Sequence, residues 1–209
     1  MMANIIWELN IADIDGSEFC FVLDSHKDIY KNLVRDYISL GKPVDEQWTP
    51  LFILKREEKY RYDFFHIREK EDIFNIEEEE VDLAEDAICI TQKVYNELFP
   101  FLKNDVEFLP LISDDGIYYI MNVINMVDCL DKEASECNIT STGLIIDYEE
   151  LIFDTDKLQN QYIFRIPELP FSIFLTDKLK EIIEDYDELS FTADELVFDG
   201  ISYFLEKTE

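Results

Sequence analysis

Residues 108–131 read FLPLISDDGIYYIMNVINMVDCLD, and the fold turns on them. Val106 to Ile112 is an apolar run interrupted by Pro110, and Ser113-Asp114-Asp115-Gly116 supplies turn chemistry behind it. Asp side chains hydrogen-bond their own backbone, and Gly tolerates positive φ. A second run, Ile117 to Val127, is rich in Tyr, Ile, Val and Met. The pattern predicts a β-hairpin with strands at Val106–Ile112 and Ile117–Val123. Proline cannot donate to a ladder, so Pro110 is expected at a bulge or on an edge. Asn122, Asn125, Asp128 and Asp131 punctuate the second arm and its continuation. They are scaffold polar groups, with no nucleophile or metal cage among them.

Leu109-Pro110, the acidic turn, Tyr118-Tyr119-Ile120-Met121-Asn122-Val123 and Val127-Asp128-Cys129-Leu130-Asp131 resemble the core pattern of a bacterial immunity-protein family, immunity protein 11. The likeness runs more loosely from about Asp86 to Phe204, and residues before about Val81 do not carry it. Such proteins belong to polymorphic toxin systems, in which a small protein neutralises a co-encoded toxin. The resemblance implies binding without catalysis, and the family pattern transfers no catalytic residue. It also suggests two parts: an N-terminal α+β region over 1–80 packed on the rest, and an immunity-like α+β domain over 81–209.

The 209-residue chain is long enough to bury a substantial core. Its hydrophobic content is 47%, with 16 Phe, 11 Tyr and 2 Trp, which argues against disorder despite the charge. That charge is the least ordinary feature: 48 Asp and Glu against 18 Lys and Arg give a formal net charge of −30. A field of that sign attracts basic partners and repels nucleic acid and anionic membrane. Solubility alone is the plainer explanation of the same numbers. The sequence opening MMANIIWELNIADID lacks a basic n-region, and no apolar run reaches the roughly 18 residues of a membrane span. A cytoplasmic protein is expected. Cys20, Cys89, Cys129 and Cys137 lie far apart, with no C-x-x-C pair, and are expected to be reduced and mostly buried.

Along the chain, Ile5–Leu9 and Phe19–Leu23 read as strands. Asp13-Ile14-Asp15-Gly16 has calcium-loop colouring. With Gly16 at the sixth position, however, the first and twelfth fall on Ile11 and Val22, which supply no carboxylate. Ser25-His26-Lys27-Asp28 resembles a capping box, and Ile29, Leu33, Val34, Tyr37 and Ile38 follow at helical spacing. A helix over Ser25–Leu40 is predicted, stopped by Gly41 and Pro43. Leu51–Leu54 and Tyr60–Ile67 read as strands.

Ala87–Val94 and Ser172–Leu179 share one design: an apolar strand, a Thr able to cap, then a helix. The helices are predicted over Thr91–Phe99, ending at Pro100, and over Asp177–Tyr186. Ala134 to Thr142 reads as a polar connection and Glu168-Leu169-Pro170 as a link. Leu144–Ile146, Leu151–Phe153, Tyr162–Ile166, Leu189–Thr192, Leu196–Phe198 and Ile201–Leu205 read as short extended pieces. Strands that do not alternate regularly with helices point to an α+β fold, a mixed or antiparallel sheet packed with a few helices.

The chemistry is sparse. No phosphate loop, G-x-S-x-G, H-E-x-x-H or Cys/His pairing is present. His26 and His66 lack a convergent partner at useful spacing. No cofactor and no enzyme activity are expected. The densest charge is Glu77, Glu78, Glu79 and Glu80 with Asp82 close behind, and Asp114 and Asp115 add a second acidic turn. These are the candidate partner contacts. A toxin inhibitor with a basic toxin partner is the leading reading. A carboxylate-dependent hydrolase or metal-binding enzyme stays open beside it, as does an acidic module competing with nucleic acid for a basic protein.

Overall fold

A computed structural model describes residues 6–9, 19–23, 27–57, 88–113, 116–187 and 205–207. The fold is α+β. The predicted hairpin is its centre: β5 (Val106–Ser113) and β6 (Gly116–Val123) pair in unbroken antiparallel register from Val106↔Val123 to Ser113↔Gly116. Beside β6 lies β4 (Cys89–Thr91), antiparallel to it, and beside β5 lies β3 (Leu51–Glu57), parallel to it. The strand β2 (Phe19–Leu23) pairs with β3 and completes a five-stranded mixed sheet. Alternation along β5 and β6 sends Leu109, Leu111, Tyr118 and Ile120 to one face, and Val106, Met121 and Val123 to the other.

Helix α1 (Lys27–Asp36) covers the first face with Tyr30, Leu33 and Val34. Helix α2 (Gln92–Leu102) covers the second with Val94, Leu98 and Leu102. That second face also meets Ile163, Ile173 and Leu175. These belong to β9 (Ile163–Ile166) and β10 (Leu169–Thr176), which form a four-stranded sheet with β1 (Ile6–Leu9) and β11 (Leu205–Lys207) in the order β11-β1-β10-β9. Phe164 and Phe174 point to its opposite face, into a third cluster with Cys129, Leu151, Phe153 and Leu158. Helix α3 (Asp177–Asp187) follows β10 and buries Leu179. The remaining described strands, β7 (Glu136–Ile139) and β8 (Ile145–Glu150), form a two-stranded ribbon. No helix among the described residues is long and apolar enough to cross a membrane.

The structure corrects several details. Pro110 makes no bulge: it lies within the regular β5–β6 register, opposite Tyr119, and on its other side β5 has no strand partner at this position among the described residues, so the expected edge is met locally. Its missing donor is harmless because the ladder to β3 begins only at Leu111. On that side the Pro110 carbonyl accepts the Trp48 indole N–H at 3.1 Å, so a side chain stands where a strand would. Nor does Pro100 end α2, which runs on to Leu102. The bond it removes is to the carbonyl of Asn96 on the exposed side, whereas the fully buried Leu102 contributes about 2 kcal/mol of burial. Thr91 caps α2 as expected, accepting from the Val94 N–H at 3.2 Å. The hydroxyl of Thr176 instead donates to the Gln161 carbonyl.

The predicted helix over Ser25–Leu40 is α1 followed by a separate 3-10 turn, Ile38–Leu40, closed by Gly41 at φ +61°. The break turns the Ile38 and Ser39 carbonyls toward β9, where both accept from the Arg165 guanidinium, Ile38 while also accepting the Gly41 N–H. Ala134–Thr142 is more than a polar connection, since it contains β7. Leu151–Phe153 is not a strand; Phe153 makes only an isolated bridge to Leu130. Glu168-Leu169-Pro170 is only partly a link, because β10 begins at Leu169. Ser25, His26, Asp13–Gly16, Tyr60–Ile67, Leu189–Thr192 and Leu196–Phe198 lie outside the described residues.

Candidate partner-binding surface

Glu77, Glu78, Glu79, Glu80 and Asp82 all lie outside the described residues, as do Asp114, Asp115 and His66. Ser113 and Gly116, on either side of the acidic pair, face each other as the ends of β5 and β6. The described surface offers two other features that the sequence reading missed.

The first is the β7–β8 ribbon. Its tip is closed by Thr140: the hydroxyl accepts the Leu144 N–H at 3.0 Å, the Thr140 N–H donates to the Leu144 carbonyl, and the Gly143 N–H donates to the Thr140 carbonyl. Gly143 takes φ +89°, a conformation that disfavours a side chain. Two irregularities shape β8. Ile139 faces Ile145 and Asn138 faces Asp147, so Ile146 has no opposite residue; Glu149 is skipped in the same way between Tyr148 and Glu150. Bulges of this kind re-aim side chains. Ile145 is buried in the third cluster, while Ile146 stands 71% exposed.

The base of the ribbon is fixed. The Ser135 hydroxyl donates to the Asp131 carbonyl at 2.6 Å and accepts from the Ile152 N–H at 2.8 Å. The Ile145 N–H donates to the Glu168 carbonyl, and the Tyr148 hydroxyl donates to the buried carboxylate of Glu8 on β1.

The second feature is an open hollow of about 660 Å³ beside the ribbon's base, with Asp128, Asp131, Asp154 and Asp156 around Leu130 and Phe153. Lys132 and Lys157 line it too. Lys157 donates to the Asp128 carbonyl at 2.7 Å, and Lys132 reaches the buried Glu168 carboxylate at 2.6 Å. Asp131 accepts the N–H groups of Glu133 and Ala134, so much of this charge already serves the backbone. Among the described residues no three His, Cys, Asp or Glu side chains are grouped to hold a metal ion. Cys129, in the third core cluster, is a buried free thiol, and burial pushes its pKa up to about 12. That is the opposite of nucleophile activation.

A hairpin signal for the ribbon was present. Thr140-Ser141-Thr142-Gly143 separates two runs containing β-branched residues, a short polar connection with Gly near its end. Its exposed apolar side chains could not be read from composition, because a bulge decides which neighbour points outward.

These surfaces belong to elements that a comparison with known families ties together. No curated protein matches the chain. The model of the immunity protein family (Imm11) matches residues 96–202, from within α2 through the hairpin, the ribbon and α3. That span is slightly shorter than the resemblance read from Asp86 to Phe204 and covers more than half of the 209 residues. The chain belongs to the immunity protein family Imm11.

Proposed function

We propose that this protein binds a bacterial toxin domain encoded beside it and neutralises it by tight, non-catalytic association in the cytoplasm. The observation that carries this reading is the family match over residues 96–202. The net charge of −30 supports a basic partner, such as an enzyme acting on anionic substrates, and disfavours nucleic acid or anionic membrane as the target. Glu77, Glu78, Glu79, Glu80, Asp82, Asp114 and Asp115 are proposed to steer that encounter. Association between opposite potentials is fast, and packed apolar groups then set the lifetime of the complex.

The test is expression of the neighbouring toxin domain in a bacterial host, with and without this chain. Survival only with the chain, together with a stoichiometric complex of the purified proteins, is expected. Undiminished killing in its presence would refute the proposal.

A further inference from the structure

Of the side chains whose exposure the structure describes, eight large apolar ones stand exposed, and four of them, Ile139, Leu144, Ile146 and Tyr148, fall on the ribbon. Scattered exposed apolar residues are ordinary, but their concentration on one short two-stranded element marks an interaction surface. Ile139, Leu144 and Ile146 belong to none of the three core clusters. Their frame is preformed by the Thr140 turn and anchored through Ser135, Ile145 and Tyr148. A rigid ridge loses little freedom on binding.

The charge around the ridge selects its occupant. Residues 136–150 contain Glu136, Asp147, Glu149 and Glu150 and no Lys or Arg. Glu136 lies directly opposite Glu150 in the register, with the bulged Glu149 adjacent in sequence. Like charges paired across strands destabilise a ribbon unless a cation stands nearby. A second copy of a chain carrying a net charge of −30 would aggravate this repulsion, and an anionic lipid surface would do the same.

We propose that the β7–β8 ribbon is the arm with which this protein grips the basic toxin domain. Ile146 and Leu144, supported by Ile139, seat in an apolar cleft of the toxin, while Glu136, Asp147, Glu149 and Glu150 meet Lys and Arg side chains on its rim. This inference rests on the immunity reading above and assigns it a contact surface.

The experiment measures binding kinetics of the purified toxin domain from the adjacent gene, in a catalytically dead form, against the full chain. Ile146→Ala combined with Leu144→Ala is expected to raise Kd about thirtyfold, mainly through faster dissociation. Glu136→Lys with Glu150→Lys is expected to slow association about tenfold at low salt. Phe171→Ala serves as a matched control, since that side chain is 64% exposed beside α1, and it should leave binding unchanged. Hydrogen exchange of the wild-type complex should show new protection across residues 136–150, which keeps the test valid if a variant folds poorly. Tight binding by the wild type with unchanged exchange in that segment, or Kd within twofold for the Ile146/Leu144 variant, would overturn the ribbon assignment and leave the immunity reading standing. Failure of the wild type to bind would overturn both.

Discussion

Gly41 and Arg165 are fitted so closely that a Cβ at Gly41 would lie 2.7 Å from Arg165 Cδ and 2.8 Å from the Val123 carbonyl oxygen. The glycine closes the turn after α1, and the arginine lies on β9, so this contact joins the N-terminal part of the chain to the family-matched part. Gly41→Ala would combine a left-handed backbone, disfavoured by about 1–2 kcal/mol, with overpacking against groups that cannot move aside. The expected loss is roughly 2–4 kcal/mol in urea unfolding, with little change in m. A loss below about 0.5 kcal/mol would show that the turn yields freely.

Arg165 cannot yield because its guanidinium is held by carbonyls alone: Val123, Ser39, Ile38, Pro170 and Phe171. The register shift of β9 against β10, between Leu169 and Phe174, coincides with the two carbonyls from β10 turning toward it. Burial pulls its pKa down to about 10, so it remains charged at neutral pH. Arg165→Met fills similar space but leaves these oxygens without their donor, and about 3 kcal/mol of destabilisation is expected. Lysine offers a point charge in place of a planar fork and should rescue only part of it. Combining Arg165→Ala with Gly41→Ala should be less damaging than the sum, since truncation at Cβ removes the Cδ contact and leaves only the approach to the Val123 carbonyl. Strict additivity in that cycle would mean the two residues do not share the space.

The central hairpin and the helices were legible because their signals are local: alternation over Val106–Val123, a capping Thr91, an apolar stripe on α1 and α2. Pro100 is tolerated inside α2 because a buried Leu102 holds the turn past it, while Pro110 keeps to an unpaired side of β5 where the Trp48 indole stands. Arg165 gave no signal at all, since carbonyl acceptors carry no sequence signature. Glu107 is similar: one more acid in the sequence, it accepts from the N–H groups of Val44 and Asp45 and from the buried Asn122 amide. As a candidate site, the acidic runs were visible in the sequence and the ribbon's apolar ridge was not.

Cys129 makes a prediction about alkaline stability. An unfolded chain releases this proton near 9.0, whereas the folded protein holds it to about 12, chiefly through burial. Between those values the folded state binds more protons, so this contribution to stability is full below 9.0 and declines as pH rises toward 12. Replacing Cys129 with Ala should flatten that part of the stability profile, measured by urea midpoints at successive pH values. Iodoacetamide at pH 8 should leave Cys129 unmodified in the native protein and alkylate it in urea, as peptide mass spectrometry would show. Ready alkylation in the native state would mean that the thiol is not sealed within the third cluster.

Salt separates steering from anchoring in the proposed complex. Exposed charges act over a Debye length of roughly 8 Å near physiological ionic strength. Added salt should therefore slow association with the toxin domain far more than it speeds dissociation. Changing Glu77, Glu78, Glu79 and Glu80 to Gln removes four of the 48 acids and should lower the association rate severalfold. Folding should be unaffected, because solvated charges add little stability. The measurement is stopped-flow binding at two salt concentrations, for the parent and the Gln variant. The salt slope of the variant should be shallower than that of the parent. An association rate indifferent to both salt and these substitutions would mean that the acidity serves solubility and that encounter is governed elsewhere on the surface.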